Sequence, residues 1–263
     1  MKFILNLNEK EVQVKEILFK HIRNLILYSN SALRGHIEFL EKFILSKDLN
    51  VAEKFKVFLI LREKCVGENI SVGSNKGNIN IGLDYINDNI GTFDDIETTV
   101  SIGDLDVTLD YPYEFNLGDS DFLFSCIKSL KLEDETIVLQ NLEQDERMQV
   151  LDSLPKEVFD HIAEFVQKNH HNFKFTIIED RKSLDVKKIE LDLLTVSAPM
   201  FIYNIFNCMS GSEYRELLFV LSKRVHDVEF LLNSNYVEVE DFYNLYKDEI
   251  ERENENLQNQ NKQ

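Results

Sequence analysis

The 263-residue chain has no tryptophan, only 3 prolines, 9 glycines and 3 cysteines. So little glycine and proline excludes collagen-like and low-complexity chains and argues against folds made of many tight turns, which leaves long helices as the main expected element. Cys65, Cys126 and Cys208 lie far apart, with no CxxC pair. That excludes a disulfide framework and points to reduced, buried thiols in a cytoplasmic compartment. Positive charge is also in deficit: 29 Lys and Arg stand against 47 Asp and Glu, a formal net charge of −18. Such a surface repels phosphate backbones, so nucleic acid is not an expected partner. The largest basic cluster, Arg181, Lys182, Lys187 and Lys188, is small and interleaved with acids. No apolar run approaches the length of a membrane span, and MKFILNLNEKEV is apolar only from Phe3 to Leu5, so neither membrane insertion nor a secretory signal is expected.

What is present is ample core material. Hydrophobic residues make up 43% of the chain, with 19 Phe and 9 Tyr, enough for one large domain or two modest ones. The expected fold class is α+β, predominantly helical. Residues 1–66 read as an N-terminal helical region: Val14, Ile17, Leu18, His21, Ile22, Leu25 and Ile26 follow helical spacing, and Ile37, Leu40, Phe43 and Ile44 repeat it. His21 and His36 fall on or near those faces and read as packing histidines. Residues 67–113 read as a small antiparallel β region of two hairpins, one in ENISVGSNKGNINIG and one in TTVSIGDLDVTL with Gly103–Asp104 at the turn.

Residues 114–252 read as a helical domain carrying one further hairpin, from strands at 173–178 and 186–193. Its expected helices are one through Phe122, Phe124, Cys126, Ile127 and Leu130, one over Leu142–Leu154, one over 151–168, and late helices at 199–209, 212–233 and 239–251. A short strand-like piece is expected at Thr136–Gln140. Residues 253–263, all Asn, Gln, Glu and Lys but for one Leu, read as a disordered tail.

Within LDSLPKEVFDHIAEFVQK, Leu154, Val158, Ile162, Phe165 and Val166 form one apolar stripe, with Asp152 or Ser153 as cap and Pro155 in the first turn. Glu157 and His161 sit four apart on its flank, the spacing of an acid–base pair or half a metal site, but no second ligand pair follows. His170 and His171 are adjacent, so they point apart and cannot easily share one ion. The loop at 85–91 places Ile86 and Ile90 where calcium ligands would be needed, and VGENISVGSNKG lacks the GK[ST] of a phosphate-cradling loop. Glu179, Asp180 and Asp185 with Lys187 on a hairpin have the residue types of a metal-dependent nuclease, which gives the alternative reading of a small metal-dependent nuclease or hydrolase. No metal and no cofactor is expected from the remaining pattern.

The succession of segments carries more information. FLILREKCVGENISV, with Leu61, Arg62, Val66, Gly67 and Glu68, leads into the β region, which closes on Tyr111–Pro112. DFLFSCIKSL follows with Cys126, Ile127 and Lys128, and then the helix with Leu154, Pro155, Phe159, Ile162 and Phe165. The late helices end in FYNLYKDEIE, with Tyr243, Leu245, Tyr246, Glu249 and Ile250. In this order the chain resembles the baseplate hub and hub-assembly proteins of T-even-type contractile-tailed bacteriophages, from about Val51 onward. Paired cysteines that some such relatives carry in the β region are not matched here, where only Cys65 stands nearby. The resemblance implies a non-enzymatic tail-assembly protein, either a hub subunit or a chaperone-like assembly factor. Its partners would be other baseplate and tail hub proteins, met in the host cytoplasm during assembly and in the virion tail afterwards. On that reading the candidate partner-binding residues are Phe159, left at the edge of the 151–168 stripe, and Phe242, Tyr243 and Tyr246 on the last helix.

Overall fold

A computed structural model describes residues 2–7, 10–28, 33–74, 77–83, 86, 93–119, 122–179, 187–223, 225 and 227–260, with 72–74, 77–81, 178–179, 187 and 254–260 described by backbone alone. The chain opens on an antiparallel hairpin, β1 (Lys2–Leu7) with β2 (Lys10–Lys15). Three helices follow: α1 (Phe19–Tyr28), α2 (Leu33–Glu41) and α3 (Val51–Val66). Next come the hairpin β3 (Asn69–Ser74) and β4 (Gly77–Gly82), then β5 (Thr98–Ile102), β6 (Leu105–Leu109), β7 (Ile127–Leu132) and β8 (Glu135–Val138), which form one antiparallel sheet in sequence order. Helices α4 (Gln144–Asp152) and α5 (Lys156–Lys168) lead to the hairpin β9 (Lys174–Glu179) and β10 (Lys187–Asp192). Four helices close the described chain: α6 (Ser197–Phe206), α7 (Gly211–Ser222), α8 (Val228–Asn233) and α9 (Tyr236–Gln260). The class is α+β with helix in the majority, as expected.

The hub of the packing is α3. Asn50 caps it by accepting from the Glu53 amide at 2.9 Å, while the Glu53 carboxylate accepts from the Asn50 amide at 3.0 Å. Val51, Phe55, Val57, Phe58, Leu59, Leu61 and Cys65 are all buried, so this helix is apolar on nearly every side and must lie inside. Phe55 meets Phe175 of β9 edge-on at 5.2 Å and stacks on Phe201 of α6 at 5.9 Å. Phe58 stacks on Phe115 at 5.9 Å. One hydrophobic cluster runs from Leu5 through these rings to Val239 and draws on the N-terminal, β and C-terminal segments alike.

The structure corrects three expectations. The helical reading of residues 1–66 fails for 2–7 and 10–15, which form β1 and β2. Leu5, Leu7, Val12 and Val14 are buried at alternate positions, and that period of two outweighs the helical spacing that starts at Val14. The helix through Phe122–Leu130 is instead a 3-10 turn, Phe122–Cys126, followed by β7. A bulge explains the misleading spacing. Thr108 pairs with Ser129 but Leu109 with Ile127, so Lys128 is skipped and Ile127 and Leu130 are both buried although three residues apart. The second hairpin thereby gains two strands. The helix expected over 212–233 is split into α7 and α8, with Asp227 capping the second piece by accepting from Glu229 and Phe230 amides.

Smaller differences concern ends. Asp152 is the last residue of α4, and α5 starts behind Pro155 with no side-chain cap; Ser153 instead donates to the Val150 carbonyl at 2.7 Å. Glu143 is the N-cap of α4, so that helix starts at Gln144 and not at Leu142. The last helix runs on through Gln260, into the stretch read as an unstructured tail; Glu, Gln and Leu have good helix propensity once a packed start has nucleated the helix.

Candidate interaction surface

The residues that carry the sequence resemblance divide into two sets once placed. Most are internal joints. Arg62 is 5% exposed, and its guanidinium donates to the Ile205 carbonyl at the end of α6 (2.5 Å), to the Gly67 carbonyl and to the Asn69 carbonyl of β3 (3.3 Å). One fork thus ties the exit of α3 to β3 and α6. Burial lowers the Arg62 pKa from its ordinary value, and the nearby Cys208, Tyr236 and Glu240 partly oppose that shift. Gly67 ends α3 at φ +109°, a conformation L side chains rarely adopt, which accounts for glycine there.

Tyr111 and Pro112 make a second joint. Tyr111 packs edge-on against Phe173 at 5.4 Å and Phe93 at 5.8 Å, and the Pro112 carbonyl accepts from the Val51 amide at 2.7 Å, meeting the first free donor of α3. Cys126 and Ile127 are buried beside them, with the Asp110 amide bonded to the Cys126 carbonyl at 2.9 Å. Burial pushes the Cys126 thiol up to about 12 and the Cys65 and Cys208 thiols up to about 11, so these groups are protonated packing groups at neutral pH. All three cysteines are free; Cys65 and Cys126 are buried and Cys208 half-buried.

The chemistry candidates are not brought together. His161 lies 3.5 Å from Glu164, not Glu157, on an exposed flank of α5. His170 and His171 are exposed just beyond that helix. Glu179 ends β9 and Lys187 begins β10 as paired positions in the ladder, described by their backbones alone, while Asp180, Arg181, Lys182 and Asp185 lie outside the described residues. The loop at 85–91 also lies outside them, except Ile86, which is buried. No group of three or more His, Cys, Asp or Glu arranged to hold a metal ion occurs among the described residues. His36 is fully buried with its ring edge-on to Tyr203 at 5.0 Å, and His21 packs edge-on against Phe43 at 4.9 Å while accepting from the Leu18 amide. Both are packing histidines.

The remaining resemblance residues are on the surface. In α5, Val158, Ile162 and Phe165 face the core, whereas Phe159 is 37% exposed and leans edge-on against Phe124 at 5.0 Å. In α9 the start is the most deeply seated part. Asn235 accepts from the Glu238 amide and donates from its own amide to the Glu238 carboxylate, Tyr236 stacks on Phe19 at 6.3 Å, and Val239 is fully buried. From Glu240 to Glu253 no residue is buried. Phe242, Tyr243 and Leu245 are exposed on that segment and Tyr246 and Ile250 are half-buried; Phe242 meets the exposed Phe230 of α8 edge-on at 5.7 Å. Of these, Leu245 enters the sequence reading through the resemblance but not as a candidate partner-binding residue, and Phe230 does not enter it; nothing local marks Phe230 as turned outward.

The internal joints fix a scaffold, and exposed aromatic side chains remain on α5, α7, α8 and α9. The model of the T4 bacteriophage base plate protein family matches residues 1–188, and the chain belongs to that family of phage baseplate proteins. No curated protein and no solved structure matches it. The family is structural, and its members interact with other baseplate proteins of the virion tail. No helix among the described residues is long and apolar enough to cross a membrane.

Proposed function

We propose that the chain works at the hub of the phage baseplate, as a hub subunit or as a chaperone-like factor that promotes hub assembly, through protein–protein contacts and without bond chemistry. The observation that carries this reading is the aromatic face of α9, where Phe242, Tyr243 and Tyr246 stand on a segment with no buried residue. Phe159 on α5 supplies a second, smaller anchor of the same chemistry. Exposed aromatics of this kind anchor interfaces because they bury much area at little rotamer cost. The charge of −18 suits a protein that meets its partners in the host cytoplasm, stays soluble until it does, and is steered to them electrostatically.

A mass-spectrometric inventory of purified virions, set beside co-purification from infected cells, tests the proposal. Recovery with hub proteins from cells is expected in either role. Stoichiometric presence in virions identifies the subunit, and loss from virions identifies the assembly factor. Failure to co-purify with any baseplate protein in either preparation would overturn it.

A further inference from the structure

We propose that the segment Glu240–Glu253 of α9, on which no residue is fully buried and Phe242 and Leu245 are exposed, together with Phe230 of α8, is a docking helix for a basic, apolar-faced helix of another baseplate protein. The inference rests on the assembly role argued above and adds the chemistry of the occupant. The segment spans about 20 Å at 1.5 Å per residue, nearly four turns. Phe242, Leu245, Tyr246 and Ile250 recur at three- and four-residue spacing, so they line one side of it, and Tyr243 flanks them. Phe230 extends the stripe sideways through its edge contact with Phe242. A helix pairs with such a stripe by the spacing rules of helix-in-groove recognition.

Charge then selects among occupants. Between Tyr236 and Glu253 the helix carries seven acidic residues against Lys247 and Arg252. A second copy would bring two such acidic sets together on two chains of net charge −18 each, which opposes self-pairing. An anionic membrane surface is repelled for the same reason. A helix with lysine or arginine beside its leucine or phenylalanine side meets both features at once, burying the aromatics and pairing with the flanking carboxylates.

The test uses the full-length protein and two labelled helical peptides of about three heptads, one with leucine at the core positions and lysine around them, the other with glutamate in place of lysine. Fluorescence anisotropy should show the lysine peptide binding the wild type, more weakly as salt rises. Phe242→Ala/Leu245→Ala should lose at least tenfold in affinity with unchanged circular dichroism. Phe219→Ala is the control: that ring is exposed on α7, lies under the Lys223 ammonium at 4.2 Å and is not one of the stripe residues, so affinity should hold. Equal binding of both peptides, or undiminished binding by the double variant, overturns the proposal. So does a dimer in analytical ultracentrifugation that the double variant abolishes, since the occupant would then be a second copy. If these arms fail while loss of the chain still blocks baseplate formation, the docking inference alone falls; if baseplates form without the chain, the assembly role falls with it.

Discussion

Acidification should weaken this fold through His36. Its imidazole is fully buried on α2 against Tyr203, and neither ring nitrogen has a hydrogen-bond partner among the described residues. Burial therefore disfavours the charged ring and lowers its pKa from 6.5 to about 4. Because the folded value lies below the unfolded one, protons bind the unfolded chain first as pH falls. Stability is full above about pH 6.5 and is lost progressively down to about pH 4. The whole gap corresponds to about 3 kcal/mol, of which about 2 kcal/mol should be lost between pH 7.5 and 5.0. Urea denaturation at those two pH values, on wild type and on His36→Phe, measures it. The variant keeps a ring of similar size and cannot titrate, so its loss between the two pH values should be smaller than that of the wild type by about 2 kcal/mol. His36→Leu serves the same purpose if phenylalanine overpacks the site. An identical pH dependence in wild type and both variants would refute the reasoning, and would mean that His36 is solvated or bonded in solution.

Arg62→Met should destabilise the protein by about 3 kcal/mol or more in chemical denaturation, since three carbonyls lose their donor, and Arg62→Lys should recover little because an ammonium cannot reproduce the fork. Gly67→Ala should cost about 1–3 kcal/mol from its positive φ, with wild-type stability as the contrary result. Ile162→Ala, a large-to-small change in the core, should cost about 2–5 kcal/mol, while the part-exposed Phe159→Ala should cost clearly less; equal losses would place Phe159 in the core. Glu157→Ala, His161→Ala, Glu179→Ala and Asp185→Ala, made singly, should leave phage yield near wild type, because the proposed role uses no carboxylate or imidazole chemistry and changes on the flank of α5 stay within about ±0.5 kcal/mol. Loss of yield in Asp185→Ala with the fold intact would instead point to hydrolase chemistry.

Long-period patterns were legible in the residues and short or bulged ones were not. The stripe of α5, the hairpin turn at Gly103–Asp104 and the β9–β10 hairpin are each stated by spacing alone, and each is where expected. The strand β7 was read as helix because a bulge sets Ile127 and Leu130 three apart, and a bulge depends on the partner strand, which a local pattern cannot show. The β1–β2 hairpin was missed for a related reason: its alternating apolar positions number only two or three per strand and run into the helical pattern of α1. At the surface, the last helix shows its aromatics in the sequence, but not that its start is the most deeply seated part. Burial of Val239 beside exposure of Phe242 depends on how α9 packs on α1, α3 and α7, which is tertiary information. The motif around Arg62 was legible as a pattern and became intelligible only as three carbonyls held by one guanidinium.

The most direct measurement is electron microscopy of tail structures in cells infected with a phage lacking this chain, with and without complementation. Loss of complete baseplates is expected, with rescue by wild type and by the Glu157, His161, Glu179 and Asp185 alanine variants, and poor rescue by Phe242→Ala/Leu245→Ala. Normal baseplates in the absence of the chain would contradict the account.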